Sequence, residues 1–215
     1  MVIYQSTGES EVYQGQFGEF SINQRDRLEV IIYRLGLSLA AVCLTIATLI
    51  VLLTGSKFLS WLTPLFGLFS LGLGISLVTI HVYLAPLKRL LQLFWLIGTL
   101  TGVVLISTSV EPLALYVYNH PLTLLGMGFC FAALTGIYFK EGFCFARLET
   151  KLLTPLVPLL LLGHLVGVLS VTVEKILLGC WAILFMIFVI RKLTQAIPPD
   201  IGDKSVFAYL KQQNG

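Results

Sequence analysis

Long stretches of this chain run without a single formal charge, and its polar residues gather between them. Six such runs stand out: Leu35–Leu53, Phe58–Leu84, Leu90–Val110, Pro121–Phe139, Leu152–Val173 and Ile176–Ile190. About 20 residues of helix, rising 1.5 Å each, cross the ~30 Å of hydrocarbon in a bilayer. None of the runs shows the period-2 polar alternation of a barrel strand, and in lipid each segment must satisfy its own backbone groups. The pattern predicts an all-α polytopic membrane protein, a bundle of six transmembrane helices. The sixth run falls under full length, which predicts that Lys175 and Arg191 snorkel from its two ends.

The polar stretches divide the rest into an N-terminal tail over 1–28, a transmembrane domain over 29–194 and a C-terminal tail over 195–215. The N-terminal tail, MVIYQSTGESEVYQGQFGEF, has no basic region followed by an apolar one, so no cleaved secretory signal is read there. It is either a short extended segment lying on the bundle or a partner, or a disordered one. Ser21 followed by Gln24 fits a capping box and predicts a helix start. TGSK and APLKR are tight hairpins, and Lys88 and Arg89 anchor the second. VEPLALYVYNHP is longer, and two readings stay open. It is an interfacial segment with Tyr116 and Tyr118 at headgroup level, or a helix from Leu113 broken at Asn119, His120 and Pro121. After a Pro-Pro stop, the C-terminal tail predicts one short helix over Lys204–Lys211.

Composition agrees with this pattern: 57% of residues are hydrophobic and 12% charged, against about 25% charged in soluble domains. Charge adds an orientation. With both termini on the cytoplasmic side, twelve of the fourteen basic residues lie inside, leaving Lys57 and Lys175 outside, as the positive-inside rule favours. The net charge of +3 then reports topology, and no nucleic-acid partner follows from it. Membrane lipid is the partner the composition does imply. Cys43, Cys130, Cys144 and Cys180 form no disulfide framework or metal-type spacing.

Candidate chemistry concentrates in YFKEGFCFARLET, Tyr138 to Thr150, read as an inner-face loop between the fourth and fifth spans. In one reading Phe139, Phe143 and Phe145 dip into the interface while Lys140, Glu141, Arg147 and Glu149 stay wet, and the stretch anchors a loop. In the other, the aromatic and charged cluster is a docking epitope for another membrane protein. Cys144 is a candidate reactive or lipidated thiol. His164 is read as lying midway along the fifth span, where Gly163 and Gly167 form a GxxxG pair able to admit a helix or a flat macrocycle. That makes it a candidate ligand for chlorophyll or haem, or a neutral histidine bonded across helices. His81 and His120 lie at other depths, which disfavours two-histidine haem ligation. No carboxylate lies within a predicted span, and no hydrolase constellation is visible, so no cofactor, metal or catalytic set is assigned. Gly98 and Gly102, with Gly67, Gly72 and Gly74, read as tight helix packing.

YQGQFGEFSINQRDRLEVIIYRLGL, HVYLAPLKRLLQLFW, FKEGFCF and IPPDIGDKSVFAYLK together resemble an integral-membrane family of unknown function from cyanobacteria and plastids. The resemblance implies a photosynthetic lineage and a thylakoid or plasma membrane, with a stromal side in a plastid; it carries over no site residues. The leading expectation is a non-enzymatic assembly or accessory factor that binds other integral membrane proteins of photosynthetic complexes. A small-solute transporter or channel using the Asn119–Pro121 break and His164 is the alternative, and a pigment- or haem-binding protein the third.

Overall fold

The computed structural model describes residues 3–7, 10–54, 57–82 and 84–206. The described part of the N-terminal tail is folded. Strands β1 (Ile3–Thr7), β2 (Ser10–Gly15) and β3 (Gly18–Asn23) form an antiparallel meander in the order β1-β2-β3. Tyr13, Phe20 and Ile22 face inward and pack with Val30 and Ile201. The β3 stretch GEFSIN alternates apolar and polar positions, which is the pattern of a strand with one buried face, so the alternative of a disordered tail is corrected.

Asn23 ends β3 and caps the first helix, α1 (Gln24–Leu53): its side chain accepts from the Asp26 N–H at 2.9 Å, and the Asp26 carboxylate accepts from the Asn23 N–H at 2.9 Å. This is a reciprocal capping box, shifted by two residues from the expected Ser21–Gln24 because Ser21 is engaged in the sheet.

The helices that follow are α2 (Leu62–Thr79, entered through a 3₁₀ turn at Leu59–Trp61), α3 (Ala85–Thr108), α4 (Leu113–Asn119), α5 (Leu124–Phe145, entered through a 3₁₀ turn at Pro121–Thr123), α6 (Leu148–Leu165), α7 (Val171–Thr194) and the short α8 (Pro198–Ile201). Among the described residues, six helical segments are long and apolar enough to cross a membrane. They are α1, α2, α3, α5, α6 and α7, the last being a full 24 residues rather than the short span expected. The shortest span is α6, 18 residues with Pro155 and Pro158 inside it, since the 3₁₀ turn extends the second span to Leu59–Thr79, 21 residues. The expected helix at Lys204–Lys211 extends past residue 206, outside the described residues.

α1 packs along α2 and α7, α5 along α3 and α6, and α6 along α7. Leu37, Leu73, Leu77, Ile137, Phe185 and Phe188 are fully buried between them. Leu49, Leu71, Val103, Leu125, Leu159 and Ile183 point outward, which is where a lipid-facing surface needs its apolar side chains. Two close approaches depend on glycine. A Cβ on Gly36 would lie 2.5 Å from the Gly72 carbonyl oxygen, and one on Gly98 only 2.2 Å from the Cys130 nitrogen. Gly67, read as a packing glycine, faces open space.

Candidate functional site at the tail end of the bundle

The end of the bundle that carries both tails holds a buried network of charge. From α1, Arg34 donates through Nε and Nη2 to Asp200 Oδ2 at 2.9 and 2.7 Å, and through Nη1 to the Gln195 carbonyl at 2.7 Å. From α7, Lys192 Nζ bridges Glu141 Oε2 at 2.6 Å and Asp200 Oδ1 at 2.5 Å. Glu141 Oε1 accepts from Tyr33 Oη at 3.0 Å and from Lys140 Nζ at 2.8 Å. The Lys192 ammonium also lies 4.3 Å from the centre of the Phe145 ring, a cation–π distance. The side chains of Glu141, Lys192 and Asp200 are at most 2% exposed. Arg34, Lys140 and Lys192 against Glu141 and Asp200 leave the cluster one positive charge in excess.

Desolvating five charges cancels much of their attraction, whereas removing one partner strands the rest. The network therefore fixes where the C-terminal segment sits more than it adds to stability. The rest of that segment ties to the sheet: the Gln16 N–H donates to Asp203 at 2.6 Å, the Phe17 N–H to Ser205 Oγ at 3.1 Å, and Lys204 Nζ to Asp26 at 2.8 Å.

This geometry revises the reading of Tyr138 to Thr150. The stretch is not a loop: α5 continues to Phe145, Ala146 turns the chain in the left-handed region at φ 50°, and α6 starts directly after Arg147. Glu141 and Glu149 are buried rather than wet. Glu149 accepts from Arg191 Nη1 at 2.7 Å, and Arg147 donates to the Gln195 side chain. Of the aromatics, Phe145 turns inward over Lys192, while Phe139 and Phe143 stay exposed and stack on each other at 6.5 Å. Arg34, Lys192 and Asp200 were legible only as topology markers and a tail residue. Their signal is that they flank apolar runs at the same end of the bundle, Arg34 just before Leu35–Leu53 and Lys192 and Asp200 after Ile176–Ile190.

Beside the network a cleft of about 660 Å³ opens between the end of α5, the α2–α3 connection and the C-terminal segment. His81, Leu84, Phe139, Lys140, Phe143 and Cys144 are among the residues lining it. Burial pushes the His81 pKa down, against the pull of Glu29, whose Oε2 lies 3.4 Å from Nε2. Lys88 Nζ donates to the Ile80 carbonyl at 2.9 Å, closing the C-terminus of α2 as a cation suits that end of a helix.

The opposite end carries the other candidates. The helix break at Asn119, His120 and Pro121 is present: α4 stops at Asn119, and the His120 ring stacks on Tyr116 with centroids 4.3 Å apart. His164 is not at mid-span. It lies one residue from the end of α6, with Nδ1 2.7 Å from Glu174 Oε1 and Nε2 3.2 Å from the Tyr118 carbonyl. Both ring nitrogens thus face acceptors within the chain, and neither is open to an axial metal without breaking a bond. The Tyr118 hydroxyl, its pKa raised by burial and by the Glu174 carboxylate, donates to that carboxylate at 3.1 Å. The glycine pair is a turn, not a packing face: Gly167 adopts φ 69°, beyond the helix.

Residues 75–209 match a family model described as Uncharacterized integral membrane protein (DUF2301). The chain belongs to the DUF2301 family. No curated protein matches it, and no solved structure does. The matched segment holds α3 through α8 and so includes Lys140, Glu141, Lys192 and Asp200. Tyr33 and Arg34 precede it, so the ion network of this DUF2301 protein joins the matched segment to α1 outside it, while Asp203 and Ser205 tie that segment to the β2–β3 hairpin.

Proposed function

We propose that this integral membrane protein is a non-enzymatic accessory or assembly factor that docks other integral membrane proteins at the end of the bundle bearing its tails. The observation behind this reading is that both tails fold into one platform there, the sheet bonded to the C-terminal segment and that segment held by Arg34 and Lys192 through Asp200. A tail that only trailed in solvent would not need a buried ion network to fix its position. A rigid surface presents a partner with groups that are already ordered, which lowers the entropy cost of association. Phe17, exposed at the β2–β3 hairpin tip, is the kind of aromatic anchor such contacts use. The positive-inside rule supports a platform on the cytoplasmic or stromal side, and the sequence resemblance supports a thylakoid or plasma membrane as its setting.

The test is co-purification in mild detergent from native membranes, with recovered proteins compared against an unrelated six-span protein. Specific membrane-protein partners should appear with the wild type, decline with Phe17→Ser and vanish with Asp200→Asn. A recovered set identical to the control's, or one indifferent to both substitutions, refutes the proposal.

A second reading, a carrier for a small solute, is favoured by the helix break at Asn119–Pro121. The cavity behind it is about 130 Å³ and lined by apolar residues, including Phe66, Leu113 and Met127. Liposome uptake that disappears in Pro121→Ala and His164→Gln would support the carrier; the absence of uptake for any neutral solute tested would count against it.

A further inference from the structure

We infer that the cleft beside the ion network binds an anionic membrane lipid, its headgroup on Lys140 and an acyl chain against Phe139 and Phe143. The sign of the ligand follows from which polar capacity is already used. Both oxygens of Asp200 are occupied, Oδ2 by Arg34 and Oδ1 by Lys192 and Gln195. Glu141 accepts at Oε1 from Tyr33 and Lys140 and at Oε2 from Lys192. The Lys140 ammonium has three donors but one hydrogen bond among the described residues, to Glu141 at 2.8 Å. It lines the cleft, and its own charge is the cluster's positive excess, since Arg34 and Lys192 balance Glu141 and Asp200. A phosphate or carboxylate placed there would accept the remaining N–H donors and neutralise the cluster, through charge-assisted bonds of the strong kind.

The source of that anion follows from the walls. Leu84, Phe139 and Phe143 are 62%, 59% and 83% exposed, and they border the cleft where α5 and the α2–α3 connection leave the spanning region. Phe139 and Phe143, one turn apart and stacked, form an apolar ledge leading from the lipid-facing surface to the Lys140 ammonium. A free anion would gain nothing from this ledge, whereas a lipid meets the apolar and the charged part together. The volume, about 660 Å³, lies in the ordinary range for small-molecule sites. The inference is independent of whether the tail platform docks a protein.

The experiment titrates the full chain, in neutral detergent, with phosphatidylglycerol or phosphatidylcholine of matched chain length and counts bound lipids by native mass spectrometry. One phosphatidylglycerol should be held at least about tenfold more tightly than phosphatidylcholine, as a charge-assisted contact predicts. Lys140→Gln should abolish that preference, and Lys175→Gln, at the other end of the bundle, should keep it. Phe143 and its stacking partner Phe139 are both exposed, so Phe143→Asp should fold as the wild type does, yet it sets a carboxylate at the mouth of the cleft. It should abolish the preference too, so the inference stays testable if Lys140→Gln fails to fold. Equal retention of the two lipids overturns the inference, as does a preference that survives both Lys140→Gln and Phe143→Asp. Inorganic phosphate that displaces the lipid at similar concentration, with Phe143→Ser silent, identifies a free-anion site and overturns the lipid assignment.

Discussion

Replacing Asp200 with asparagine removes one charge and almost no volume, so it isolates what the ion network does. In the wild type three cations face two carboxylates; in Asp200→Asn three face Glu141 alone, and Arg34 keeps only the backbone carbonyls of Gln195 and Ala196. The amide must also direct its N–H₂ at a donor, Arg34 on one side or Lys192 on the other. Breaking a buried pair by removing one partner costs about 3–5 kcal/mol. Because Asp200 sits beyond the last spanning helix, the cost falls on docking of the C-terminal segment rather than on the bundle. At 1.4 kcal/mol per decade, the open population of that segment should rise about a hundredfold to a few thousandfold. Hydrogen exchange at the Gln16 and Phe17 amides reads this directly, since their acceptors, Asp203 and Ser205, are carried by the same segment. Lys192→Met should be milder: it leaves Glu141 with Lys140 and Asp200 with Arg34, one cation for each carboxylate. Exchange in Asp200→Asn within about threefold of wild type, or a larger effect from Lys192→Met, would refute the reasoning.

Three further outcomes are expected. Gly98→Ala should lower the thermal midpoint in detergent, at a cost of about 1–3 kcal/mol, because its Cβ would meet the Cys130 backbone rather than a movable side chain; an unchanged midpoint would mean that α3 and α5 separate freely. Tyr33→Phe removes a hydrogen bond to a buried carboxylate and should cost about 1.5–3 kcal/mol, whereas Tyr138→Phe removes a neutral acceptor for Trp181 and should cost about 1 kcal/mol; denaturant unfolding that ranks them the other way would contradict the network's polarity. His81 has its pKa lowered below 6.5 in the folded chain, so below pH 6.5 the unfolded state takes up a proton that the folded state resists. Its contribution to stability is therefore complete above that pH and lost as pH falls, and His81→Gln should flatten the acid limb of a midpoint-against-pH curve; an identical slope would exclude His81 as its source.

The six spans were legible because lipid imposes a requirement that each segment meets alone: enough apolar residues in a row. Their ends were less legible, since hydrogen bonding carries a helix past its apolar run, as α5 shows by continuing through Lys140 and Glu141 to Phe145. The ion network was not legible for a different reason. Arg34 and Lys192 have the composition and position of ordinary positive-inside residues, and burial is a property of what packs over them, here Asp200 from a segment that reads as a polar tail. The sheet escaped because Tyr13, Phe20 and Ile22 alternate over too few positions to stand out from irregular chain. His164 was misplaced in depth by counting along an apolar run, when Gly167 and Ser170 had already ended one helix and capped the next.

The network also sets an order on biosynthesis. Arg34 leaves the ribosome 166 residues ahead of its carboxylate partner. At about 5–20 residues per second, that gap lasts roughly ten to thirty seconds. Throughout that interval the guanidinium on α1 must stay in water, at the headgroups or with the insertion machinery, and Lys192 completes only half of its own bonds until Asp200 follows it. The segment carrying Asp200 is thus the one that lets α1 settle, so closure of this end of the bundle waits on chain made 166 residues after Arg34.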